Sequence, residues 1–152
     1  MSEKINRLIP KAMLAIETSG MMKANRVVPA EFKGYIASMA ASIIQTGLLT
    51  SITFYTRGSR DDKEGTGKAE DTNKLLKAIY KLINPNTEDE TDSPNNLLFY
   101  ALETCKNEPT ANEVKMEDIN IDKLVLLEEE IQDALYALKL ALRTFKLEKT
   151  ES

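Results

Sequence analysis

Leu124, Ile131, Leu138 and Phe145 fall seven residues apart, and Leu127, Ala134 and Ala141 follow the first three of them at a distance of three. A strand repeats every two residues, so an odd spacing of seven would scatter these side chains over both of its faces. A helix collects them into one stripe. The spacing therefore predicts a long last helix over residues 121–146. Glu128, Glu129 and Glu130 lie toward its positive end, and Arg143, Lys146 and Lys149 toward its negative end, as the helix dipole favours.

A helix with one apolar stripe has to bury it against other elements. The rest of the chain offers helices. Ile5, Leu8, Ile9, Ala12, Met13 and Ile16 recur at three and four, which predicts a first helix over residues 3–23, weakened at Gly20. Pro29 reads as the opening of a second, with Phe32, Tyr35, Ile36, Met39, Ala40 and Ile43 on one face. Thr46-Gly47 interrupts it. Leu48, Leu49, Ile52 and Tyr55 resume helical spacing, although residues 51–56 also carry strand-forming types. The helix is preferred because no partner strand is evident. Asp71 or Thr72 suits the cap of a fourth helix bearing Leu75, Leu76, Ile79, Leu82 and Ile83. Asn84-Pro85 stops it, and Pro94 opens a short fifth with Leu97, Leu98, Ala101 and Leu102. The expectation is an all-α fold: one domain over residues 1–152, a bundle of five or six helices closed by the long C-terminal one. Residues 58–69 and 85–93 read as mobile loops.

The chain has no histidine and one cysteine, Cys105. That removes the His-dependent nucleophile systems and the Cys/His zinc sites. It also leaves no internal disulfide, which suits a reducing, cytoplasmic setting. Cys105 reads as a small buried hydrophobe and the methionines as core filler, with Met21-Met22 a partly exposed contact. No signal-peptide core and no long apolar run is present, so neither export nor a membrane span is expected. Taken together, these features imply no catalysis, no cofactor and no bound metal; the chain would act by binding partners.

Two phosphate- or metal-like patterns fail on spacing. Gly65-Thr66-Gly67-Lys68 resembles the end of a phosphate loop, but Asp62 stands where its first glycine belongs and Ala69 where Ser or Thr should follow the lysine. The acidic stretches around Asp61 and Glu88 misplace the glycine and final glutamate of a calcium loop. Glu129, Glu130 and Asp133, with Glu128 beside them, share a helix face, where paired carboxylates suit magnesium; an alternative reading is thus a magnesium-dependent all-α nucleotide pyrophosphatase. A solvated acidic face is the plainer account.

Charge is uneven. Residues 1–60 hold 8 Lys/Arg against 3 Asp/Glu, and residues 61–152 hold 12 against 21, for net values of +5 and −9. Lys74, Lys77 and Lys81 form a basic stripe on the fourth helix, and Arg7, Lys11, Lys23, Arg26 and Lys33 add cations in the first half. Such residues are candidates for sequence-independent contact with an RNA backbone. Solvated helix faces, or a protein adaptor that meets no RNA, are the other readings.

Two stretches carry a resemblance. One runs from Tyr35 through Ile43, Gly47 and Leu48 to Ile52 and Phe54. The other runs from Asp133-Ala134-Leu135 to Leu142-Arg143-Thr144-Phe145. Together they resemble the small helical subunit of the type III-B CRISPR (Cmr) RNA-silencing complex. In that family a helix leads to an Ile-x-x-x-Gly-Leu turn, an Ala/Ile-x-Phe helix follows, and an Ala-Leu-rich helix with a basic-aromatic finish ends the chain. The chain departs from the family at Ala37, Ser38 and Ala40, where a basic pair and a proline are frequent, and it lacks the tryptophan common in the last helix. The resemblance implies a subunit without nuclease activity that stacks with like copies along a filament of backbone subunits. It would help hold target RNA against guide RNA, with base pairing supplying sequence specificity. Gly47, Leu48 and Phe54 would be structural residues of the shared motif.

Overall fold

A computed structural model describes residues 3–57, 68–84, 96–106 and 119–148. Six helices lie within them: α1 (Glu3–Thr18), α2 (Glu31–Thr46), α3 (Leu48–Arg57), α4 (Lys68–Ile83), α5 (Asn96–Cys105) and α6 (Ile121–Ala141). The chain is an all-α bundle with a long C-terminal helix, as its spacing predicts. Residues 58–67 and 85–93, read as loops, lie outside the described residues. Lys68 and Ala69 belong to α4 instead of the first loop. The helix thus begins before Asp71 and Thr72, the two positions the sequence suggests for its cap.

α6 organises the bundle. It buries Leu127, Ile131, Ala134, Leu135, Ala137, Leu138 and Ala141. Its three alanines leave room for a close neighbour, and α1 takes that place with Ile5, Ala12, Ala15 and Ile16 turned inward. The two run side by side in the same direction: Lys4 meets Asp133, and the far part of the pair brings α1 to the turn at 142–144. Pro10 stands inside α1 on its exposed side and offers no N–H to the preceding turn, a loss that water can make good.

α2 and α3 form an antiparallel hairpin. Ser42 Oγ and Ser51 Oγ share a 2.7 Å hydrogen bond, and Tyr55 Oη donates to Ser38 Oγ at 3.0 Å. The stretch around residues 51–56 is therefore helix, not strand. The hairpin packs across α6, with α2 running opposite to it. Gln132 Nε2 donates to the Ala40 carbonyl at 3.0 Å, and beyond the end of α2, toward the start of α6, the N–H of Leu48, the first residue of α3, donates to Glu128 Oε1 at 3.1 Å. Buried residues of all six helices join one core, including Phe32, Ile52, Leu75, Leu97, Cys105 and Leu138.

Several boundaries differ from those the spacing predicts. α1 ends at Thr18, not at residue 23: Gly20 takes a φ of +94°, which leaves the right-handed helix, and Thr18 Oγ1 donates to the Leu14 carbonyl at 2.9 Å. The turn drives Met21 into the core, so it is fully buried and no surface contact, while Met22 is half-buried. Pro29 does not open α2. It closes β1 (Val27–Pro29), which pairs in parallel with β2 (Lys146–Glu148), Val27 opposite Lys146 and Pro29 opposite Glu148. A proline at a strand end withholds no needed donor. Correspondingly α6 stops at Ala141, and a 3₁₀ turn over Leu142–Thr144 redirects the chain so that Phe145 stays buried. Among the described residues, no helix is long and apolar enough to cross a membrane.

Candidate nucleic-acid interface

The candidate cations divide over three helices. Arg7 and Lys11, one turn apart, are exposed on α1. Arg7 makes an exposed contact of 3.6 Å with Glu3, a pair that water screens to little effect. Lys4, which starts the same side of the helix, is turned to Asp133 at 3.1 Å. Lys33 is exposed near the start of α2. On α4 the stripe is graded: Lys81 is exposed, whereas Lys74 and Lys77 are half-buried. Lys74 lays its stem on the turn after α1, its Cγ, Cδ and Cε all 3.5 Å from where a Cβ on Gly20 would stand. Its methylenes thus cover the turn. The stripe is partly a packing element. Lys81 on α4, with Arg7 and Lys11 on the neighbouring α1, supplies the more open positive charge.

The acidic face of α6 is not one group. Glu128 accepts from the Leu48 N–H and caps the start of α3, where the helix dipole favours a carboxylate. Asp133 holds Lys4. Glu129 is exposed, and Glu130 lies half-buried near Tyr100. Burial first, and then the Glu130 charge, push the Tyr100 phenol up, against a lowering hydrogen bond with Thr104. Burial likewise pushes the Cys105 thiol up, opposed by Lys123 and reinforced by Glu128. Among the described residues, no three of His, Cys, Asp and Glu gather in a way that could hold a metal ion.

No protein-family model, curated protein or solved structure matches the chain. Of the shared-motif residues, Gly47 terminates α2 with a φ of +94°, Leu48 is buried, and Phe54 is 71% exposed. Sequence spacing does not reveal Glu128 as a cap or Gln132 as a link to α2, because both depend on helices brought together from 80 or more positions away. It offers Arg26 only as one more cation of a basic first half, and the structure gives it another role. The Arg26 guanidinium lies 4.6 Å from the centre of the Phe145 ring and 2.6 Å from Glu17, and so clasps the end of α1 to the segment that follows α6.

Proposed function

We propose that this chain is a non-catalytic, RNA-associated subunit of a type III-B CRISPR RNA-guided effector, working in the cytoplasm alongside larger backbone subunits and like copies of itself. One observation carries the reading. The two stretches that resemble the family's small subunit, residues 35–54 and 133–145, lie in neighbouring elements: the α2–α3 hairpin packs on α6 and is fastened to it through Gln132 and Glu128, just ahead of the second stretch. A resemblance split between distant parts of a chain gains weight when both parts build the same piece of structure. In this reading Arg7, Lys11 and Lys81 lie against RNA phosphates, Lys33, Lys74 and Lys77 add to the field, and guide RNA supplies the sequence information.

The test is affinity purification of the tagged protein from its native cells at moderate salt. Recovery of CRISPR backbone proteins together with short guide RNAs is the expected result. A preparation free of both would overturn the proposal. Within a recovered complex, Arg7→Glu with Lys11→Glu should weaken target-RNA binding. It should also reduce the salt dependence by about 0.7 in log–log slope for each phosphate no longer neutralised.

A further inference from the structure

Residues 34–56 contain no Asp, Glu, Lys or Arg, in a chain where 29% of residues are charged. This stretch is most of the α2–α3 hairpin, and much of it faces solvent. Gly34, Ala37, Ala41 and Ile44 all lie on the exposed side of α2, at intervals of three, four and three. Ile44 is 80% exposed, and Phe54 borders the same hairpin from α3. A Cβ placed on Gly34 would meet nothing within 4 Å, so the glycine leaves an open notch on that surface. An exposed face stripped of charge, with large apolar side chains standing clear of it, has the make-up of an interface core.

We infer that this face binds the same face of a second copy, with the two α2 helices antiparallel about a two-fold axis at residue 39. The spacing is self-complementary. The pairs Gly34 with Ile44 and Ala37 with Ala41 have the same midpoint, so the two-fold sets the Ile44 knob of each copy into the Gly34 notch of the other. The alanine pairs between them let the helices approach closely. Charge agrees. The same register carries Lys33 to Gln45 of the second copy, beside the C-terminal end of its α2. That end is the negative pole of the helix, and its last turn has no basic residue of its own. Antiparallel helix dipoles also attract each other. A nucleic-acid backbone would find no cation on this stripe, and a charged protein partner no counter-charge. The pairing follows from this geometry alone and does not depend on the proposed function, though it draws Lys33 away from RNA.

The test uses the full chain and two variants made separately, Ala37→Cys and Ala41→Cys. Both positions are exposed, so neither disturbs the core. Residue 37 faces residue 41 across the axis. Two copies of residue 37 are offset by about 6 Å along helices that lie about 8 Å or more apart, beyond disulfide reach. Mild oxidation of the mixture should give a reducible covalent dimer of twice 17.0 kDa, and either variant alone should give little. The unmodified protein should sediment as a dimer at micromolar concentration, and Ile44→Glu should weaken association roughly tenfold or more with helicity unchanged. A monomer at high micromolar concentration, no cross-link in the mixture, or equal cross-linking in the single variants overturns the inference.

Discussion

Two glycines in the same hairpin have opposite reasons to be glycine. Gly47 has φ +94° and ψ 163°, a backbone region that side-chain-bearing residues hardly enter, although a Cβ there would touch nothing within 4 Å. Gly34 has ordinary helical surroundings and equal room. Gly47→Ala should therefore cost about 1–3 kcal/mol through conformation alone. Gly34→Ala, measured at dilutions where copies are apart, should add up to about 1 kcal/mol from helix propensity. Thermal unfolding would read each kcal/mol as a shift of about 2–4 °C for a chain of this size. Glu128 makes a similar contrast with its neighbour. Glu128→Ala removes the carboxylate from the Leu48 amide and should cost about 1–2 kcal/mol, while Glu129→Ala at an exposed position should stay within about 0.5 kcal/mol. The sequence presents these glutamates as one acidic run. Their roles diverge only when another helix's first amides are set against one of them.

Elements were legible where their signal is local and repeated. The long stripe of α6, the paired faces of α2 and α3 and the apolar face of α4 each announce themselves within a few turns. Element ends were less so, because they are decided by what the chain meets next. α1 stops five residues before the predicted end since Gly20 turns and Met21 has a core site to fill. α6 gives up its last predicted turn because Lys146–Glu148 pair with Val27–Pro29, a contact between strands of three residues separated by most of the chain. No periodicity reveals strands that short. This end of the bundle depends on Phe145, buried beneath Arg26. Phe145→Ala should cost about 3 kcal/mol by urea unfolding, more than disruption of the three-residue pairing would suggest. Combining it with Arg26→Ala should cost about 0.5 kcal/mol or more below the sum of the two single changes, since the pair can be broken only once. Additive effects would mean that the guanidinium contributes nothing through the ring.

At the scale of the molecule, the basic first helix and the acidic last one, both among the described residues, are not held apart. α1 packs along α6, and Lys4 is spent on Asp133, so the two meet. The candidate RNA surface was legible as residue types, but its depth was not: Lys74 and Lys77 prove half-buried, and over Lys74 this is the turn at Gly20 coming across α4, a long-range approach with no trace in the spacing of the lysines. The same packing governs how the fold responds to alkali. Tyr100 and Cys105 both keep their protons to higher pH in the folded chain than their ordinary values of 10.0 and 9.0, chiefly because burial disfavours the phenolate and thiolate. Unfolding releases those protons. The contribution of each group is therefore complete below its ordinary value and is lost as pH rises from there through its raised folded value. The urea midpoint should begin to fall as pH passes about 9, with Cys105 acting first and Tyr100 following near 10. Cys105→Ala should delay the onset, and Cys105→Ala with Tyr100→Phe should flatten the decline over that interval, after allowance for removal of the 3.4 Å hydrogen bond from Tyr100 to the Ile83 carbonyl. In the unmodified protein, a thiol reagent near neutral pH should react with Cys105 only as fast as the bundle opens, because the side chain is fully buried. A double variant that loses stability in alkali as steeply as the parent would assign the decline to groups other than Cys105 and Tyr100.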